Sequence, residues 1–308
     1  MEKLIDIESY PIQDTLNLLL QDKTTKKNII WATDAYAENG DGFLDRQEIK
    51  ATRLINFTNL IKPRIEKTQE DQQDRTRKKA EVFTPAWLCN RMNNYCDESW
   101  FGRKNVFNIE NSDYTWDVVQ GKVEMPEGRT WKQYVDSRRL EITCGEGPFL
   151  VSRYDAATGR MIEPPKRRIG LLDRKLRIVN ENTNTYEDWL KWTIRAFEAS
   201  YGFEYQGDSL LIARINLLLT FGDYYEERWN KEPDIKLLKK IANKIAWNIW
   251  QMDGFQDTVP LGMPPGEMYE PSLFDMGSDE IETDEAPYCR IQDWRDGSSI
   301  EYRQLKER

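Results

Sequence analysis

The residues best suited to chemistry lie in the run Glu141-Ile142-Thr143-Cys144-Gly145-Glu146-Gly147-Pro148-Phe149-Leu150. An acid and a thiol precede two glycines one residue apart, and an apolar stretch follows. Glycine lets a ligand approach the backbone, and the first amides of a helix face whatever lies over the turn. The pattern suits a nucleotide-sized ligand on a strand-to-helix turn, although an ordinary turn of this kind reads the same. Two more acids fall in comparable places: Glu204 closes Tyr201-Gly202-Phe203-Glu204, and Asp253 follows Gln251-Met252. In a doubly wound sheet, a carboxylate at the end of the second strand grips ribose, because two hydroxyl donors match two carboxylate oxygens.

The composition narrows the chemistry further. The 308 residues include no histidine. Histidine-based triads and histidine zinc sites are thereby excluded, leaving carboxylates, amides, backbone dipoles or a cofactor with its own reactivity. Four cysteines (Cys89, Cys96, Cys144, Cys289) lack metal-ligand spacing and fit reduced thiols, so no metal site is expected. A net charge of -9 means that any nucleic acid is met through a local basic patch or through a partner. No apolar run approaches the roughly 20 residues of a membrane span, and Met1-Glu2-Lys3-Leu4 opens without a signal-like apolar stretch. A cytoplasmic protein with no membrane contact is expected.

These residues need elements to hold them. Residues 1–78 read as a helical N-terminal region, with Ile12, Leu16, Leu19 and Leu20 at helical spacing. Within it, Ala37 to Glu48 imitates a calcium loop, with Asn39, Asp41, Gly42, Leu44 and Glu48 at the third, fifth, sixth, eighth and twelfth positions. Alanine stands where the first carboxylate belongs, so a Gly-rich turn before a helix is the simpler reading. Residues 61–81 form a charge run that reads as a solvated helix face. Thr84 and Pro85 then suit the start of a helix carrying Trp87, Leu88 and Met92 toward a core. The strand Leu140 to Thr143 leads into the glycine turn.

Beyond the turn, Arg153 to Arg177 is an irregular basic excursion containing Arg160, Lys166, Arg167, Arg168, Arg174 and Lys175, open to phosphate contact or simply solvated. Helical periodicity returns from Glu187 to Ser200, and a strong helix follows Gly207. A helix over Ile235 to Lys244 and a strand over Ile245 to Gln251 complete a third unit. Helix and strand alternate three times, which calls for a parallel sheet. Residues 257–308 read as an acidic, turn-rich tail with one strand within Tyr288 to Trp294.

The order Phe83-Thr84-Pro85, Cys144-Gly145-Glu146-Gly147-Pro148-Phe149-Leu150, Tyr201-Gly202-Phe203-Glu204 and Gln251-Met252-Asp253-Gly254 resembles the adenine-specific DNA methyltransferases of restriction-modification systems, of the "restriction endonuclease subunit M" type. The likeness covers about residues 80 to 255. It implies a class-I methyltransferase-like, Rossmann-like doubly wound α/β sheet over residues 79–256, with S-adenosyl-L-methionine as cofactor. It further implies that Phe83, Thr84 and Pro85 cradle the methionine part, and that Glu141, Cys144, Gly145 and Gly147 underlie the amino acid and ribose. Glu204 would bind the ribose hydroxyls and Asp253 the adenine amino group.

The chain departs from that pattern in three ways. Glu141-Ile142 replaces Asp-Pro, and Glu146 adds a negative charge to the turn. Glu141 and Glu204 stand 63 positions apart, which requires an insertion. The Asn-Pro-Pro-Tyr tetrapeptide that holds a flipped adenine is missing, since Met263-Pro264-Pro265-Gly266 has neither its amide nor its aromatic ring. No catalytic residue is therefore assigned. The expectation is the cofactor-binding subunit of a split N6-adenine DNA methyltransferase, with DNA reached through a protein partner that carries the tetrapeptide and the target-recognition domain. The alternative is a non-catalytic structural or regulatory subunit with a degenerate methyltransferase fold. A methyltransferase acting alone on a small molecule or protein leaves Phe83-Thr84-Pro85 unexplained, and a dehydrogenase wants a third glycine where Leu150 stands.

Overall fold

The computed structural model describes residues 3–57, 60–68, 84–266 and 285–306, and these form a mixed α/β structure. The helices are α1 (Ile12–Leu19), α2 (Ala51–Asn56), α3 (Ala86–Phe101), α4 (Trp131–Asp136), α5 (Leu171–Asn182), α6 (Tyr186–Glu198), α7 (Gly207–Trp229) and α8 (Ile235–Asn248). Strands β1 (Asn108–Glu110) and β2 (Trp116–Val118) make a hairpin, as do β6 (Arg290–Asp293) and β7 (Ser298–Glu301). Between them β3 (Arg139–Glu141), β4 (Ser200–Glu204) and β5 (Ile249–Gln251) build a parallel sheet with β4 in the middle.

Strand alternation sorts the two faces of this sheet. Tyr201, Phe203 and Trp250 pack with Ile291 and Tyr302 from the C-terminal hairpin and its exit. On the opposite face, Gly202 leaves room for Leu150 and Cys144, which a Cβ would meet at 3.3–3.4 Å. There α7 and α8 lie on β4 and β5. Ile241, Ile245 and Ile249 join α1 and α7 in one large core, which also takes in Ile12, Leu16, Leu19 and Trp31 from the N-terminal region.

Buried cations tie the layers together. The Arg214 guanidinium on α7 donates to the carbonyls of Ile249 (2.7 Å), Leu19 (2.5 Å), Gln21 (2.9 Å) and Ala246 (3.3 Å). It thereby caps the ends of α1 and α8 together. Burial lowers its pKa to about 10. Lys175 on α5 donates to the carbonyls of Ser137 (2.6 Å) and Ala199 (2.8 Å), just ahead of β3 and β4, and burial holds its ammonium well below the usual lysine range.

Several expectations are corrected. The helix over 235–244 continues to Asn248 and the strand shrinks to Ile249–Gln251, because Ile241, Ile245 and Ala246 sustain one helical core face. The residues over 140–143 pair only as Arg139–Glu141. Thr84 does not cap α3, whose N-cap is Pro85 without a side-chain bond. Met92 points outward at 49% exposure, and the buried face of α3 is polar. Asn90, Asn94 and Asp97 are turned inward to meet Arg174, whose Nη1 lies 2.5 Å from Asp97 and whose Nη2 lies 2.8 Å from each asparagine oxygen.

The same demand for partners takes part of the basic excursion inside, while Arg160 and Arg167 stay exposed. Arg168, Arg174, Lys175 and Arg177 are buried. Asp223 takes Arg153 at 2.8 Å and Arg168 at 2.7 Å, and Glu181 takes Arg177 at 2.7 Å. The excursion is irregular only to Gly170, after which α5 and α6 fill most of the remaining chain up to β4. In the C-terminal region, Asp296-Gly297 makes a turn, with Gly297 at φ +71°, and gives a two-stranded hairpin where a single strand was expected.

Candidate functional site

The carboxyl ends of β3 and β4 meet at the glycine turn. Thr143, Gly145 and Gly147 adopt positive φ of 46°, 53° and 79°, which folds the chain back directly after the strand. The turn is fastened to β4, with the Cys144 amide donating to the Phe203 carbonyl at 2.8 Å and the Gly145 amide to Glu204 Oε2 at 2.8 Å. Glu204 Oε1 accepts from the Gln206 amide at 3.1 Å, at the head of α7. Glu141 behaves alike, its two oxygens accepting from the amides of Phe149 (3.2 Å) and Leu150 (3.0 Å). Each carboxyl is therefore oriented by at least two amides, and an oxygen that accepts one amide has a second lone pair left.

Burial dominates the electrostatics. Desolvation raises the Glu141 carboxyl to about 8, opposed by its two amides and reinforced by the Glu204 charge. Desolvation raises Glu204 as well, and its bonds to Gln206 and Gly145 hold it back. Cys144 is buried beside both acids and its thiol is driven well above the usual range, so it is no thiolate nucleophile.

A Cβ built on Gly145 meets nothing within 4 Å, so open space faces the turn beside the Glu204 carboxylate. That space and the carboxylate suit a ligand bearing hydroxyl or amino donors. Gly147 faces the other way, where a Cβ would touch Ala213 at 3.6 Å, so this glycine serves the packing of the turn on α7.

The structure draws the start of α3 to the same place. Ala86 N donates to Asp155 at 3.3 Å, Asn93 donates to the Phe149 carbonyl at 3.0 Å, and Cys89 feels the charge of Glu141. Thr84 and Pro85 thus lead into the helix beside the glycine turn; Phe83 lies outside the described residues. Asp253 sits beyond β5, where Oδ1 accepts from the amides of Phe255 (2.9 Å) and Gln256 (3.3 Å) and shapes its own turn.

Residues missed in the sequence close the mouth of the sheet. Gln251 exchanges two bonds with the Ile30 backbone, both 2.9 Å, and the Trp31 carbonyl accepts from Gly207 N at 2.9 Å. Asp208 in the first turn of α7 holds Lys67 at 3.1 Å and the Tyr36 hydroxyl at 2.7 Å. Glu146 Oε1 accepts from Arg64 N at 2.5 Å and Oε2 from the Tyr154 hydroxyl at 2.9 Å, so its charge is engaged within the protein. An acid directly after Gly207 at a helix start was the available signal for Asp208; nothing local marks Gln251 or Lys67. In the calcium-like loop, Ala37–Asn39 and Asp41–Phe43 form 3-10 turns and Glu48 accepts from Asn28 N at 3.0 Å. Among the described residues no cluster of three or more acids or cysteines could hold a metal, and no helix is long and apolar enough to cross a membrane.

Comparison with protein-family models, with curated proteins and with solved structures finds no match to this chain. The site rests on its own geometry.

Proposed function

We propose that the chain is the S-adenosylmethionine-binding subunit of a split adenine-specific DNA methyltransferase, its sheet being the first half of a Rossmann-like doubly wound fold. The observation that carries this reading is the meeting of Glu204 with the amide of Gly145, two elements that the resemblance assigns to one ligand, at 2.8 Å over open space. Glu204 offers its second lone pairs to ribose hydroxyls, Gly145 lets the ligand lie on the backbone, and α3 walls the site beside Glu141. The cofactor supplies the electrophilic methyl group. What this chain contributes is binding and orientation.

The cations counted in the basic excursion are largely taken up by internal partners, which supports a DNA contact made through another polypeptide. A second reading, a structural subunit that has lost the ligand, is favoured by Asp253, whose carboxylate is already shaping its own turn.

Calorimetric titration of the full chain with S-adenosylmethionine separates the two readings. Micromolar binding that weakens at least 100-fold in Glu204→Gln is expected; no heat from the wild-type chain, alone or co-expressed with partner polypeptides, would leave the structural reading standing.

A further inference from the structure

Helix α6 carries two apolar stripes. Trp189, Ala196 and Phe197 are buried in the core, whereas Tyr186, Leu190 and Ile194, spaced four apart along one line of the helix, are only half-buried. Core packing uses the first stripe and leaves the second in the wall of a groove of about 660 Å³, which Lys240 of α8 borders on the other side. Trp192 stands in the same wall, fixed edge-on against Trp131 of α4 with ring centroids 5.0 Å apart. The groove reaches Asp136 and Glu198, which lie just ahead of β3 and β4. It therefore opens at the amino end of the parallel sheet, away from the glycine turn.

The rim of this groove is basic in a chain that is acidic as a whole. Helix α8 carries four lysines and no carboxylate. Two of the carboxylates lining the groove are already engaged, Asp136 by Arg195 and Arg295 and Glu198 by Lys244 at 2.6 Å and Arg195 at 3.3 Å. Lys191 and Lys240 border the groove and Lys236 lies one turn from Lys240; all three are exposed, and none forms an ion pair among the described residues. Glu187 is the one lining carboxylate left in the same condition.

We propose that this groove docks an acidic amphipathic helix of another polypeptide, with apolar side chains on Leu190 and Ile194 and carboxylates on Lys191 and Lys240. An apolar line at helical spacing, half-covered and walled by a second helix, is matched by the ridge of a third. The local charge selects its sign, since three uncommitted lysines face one uncommitted carboxylate. Nucleic acid suits the rim but not the floor, because Leu190 and Ile194 offer bases no ring to stack on. A lipid surface is flat and would meet the lysines without filling the groove. The assignment stands apart from the cofactor site, which lies at the opposite end of the sheet.

The probe is a labelled synthetic peptide of about 20 residues, Leu on one helical face and Glu on the other, titrated into the full chain by fluorescence anisotropy. A scrambled peptide of the same composition and a duplex oligonucleotide serve as competitors. Binding that scrambling weakens at least about tenfold is expected, with a similar loss in the double variant Lys191→Glu/Lys240→Glu and in Leu190→Ser. The lysine variants alter exposed side chains only, so they keep the test sound if Leu190→Ser misfolds. Equal affinity for the scrambled peptide, affinity unchanged in the lysine variants, or no binding of the peptide would each overturn the proposal. An oligonucleotide that binds more tightly than the peptide and is released by the same lysine variants would overturn it in favour of a nucleic-acid surface.

Discussion

The two ends of the parallel sheet bury ionisable groups of opposite kind, acids at one and bases at the other. At the carboxyl end, Glu141 and Glu204 meet backbone amides; at the amino end, Lys175 and Arg214 meet backbone carbonyls. The backbone dictates this arrangement, because helix starts offer amides at one end and helix ends offer carbonyls at the other. The difference lies in what remains to be satisfied. Arg214 reaches four carbonyls, whereas Glu204 accepts the amides of Gly145 and Gln206 next to a turn whose Gly145 faces open space. The amino end is built for holding the layers together, and the carboxyl end is left able to take a ligand.

Breaking the amino end has the largest expected effect. Arg214→Leu strips the shared donor from the ends of α1 and α8, and a loss of about 3–5 kcal/mol is expected from the urea midpoint. A loss below about 1 kcal/mol would show that the carbonyls find other donors and would end the comparison. Gly207→Ala comes next, at about 2–3 kcal/mol, because the new Cβ would lie 2.0 Å from the Ile30 carbonyl, which is backbone and cannot step aside.

The pH dependence sharpens the contrast. Glu141 titrates near 8 when folded and near 4.5 when unfolded, so its contribution is complete at acid pH and is lost as pH rises through the folded value. Stability should fall by about 1–3 kcal/mol between pH 5 and pH 8, and Glu141→Gln should flatten that slope in urea titrations at the two pH values. Lys175 runs the opposite way. Its folded value is lowered, so the unfolded chain holds the extra proton and stability rises with pH up to the ordinary lysine range, a slope that Lys175→Met should erase. The smallest effect belongs to Gly145→Ala: the positive φ costs about 1 kcal/mol with no clash, while the methyl group enters the space proposed for the cofactor. Cofactor affinity should drop more than stability does.

The sheet was legible because its signals are local. Each strand ends in an acid or an amide, with turn residues close behind, and all three pair in the expected parallel sense. The boundary of β5 was not, since Ile245-Ala246-Trp247 serves a helix face as readily as a strand. The inward face of α3 was hidden for a different reason. Asn90 and Asp97 turn inward to satisfy Arg174, 84 and 77 positions away, and no local window contains that requirement. Composition shows charges and not their partners, which is why Arg168, Arg174, Lys175 and Arg177, read as part of a surface patch, prove to be interior.

The bonds between Ile30 and Gln251 span 221 residues of chain, and that span sets a timetable. At synthesis rates of about 5–20 residues per second, roughly 10–45 s pass between the emergence of Ile30 and that of Gln251. Through that interval Leu16, Leu19 and Leu20 have neither α8 nor the completed sheet to lie against. Among the described helices α1 is made before the others and is among the last to be secured, and the growing chain depends on whatever shelters the apolar face of α1 until β5 appears.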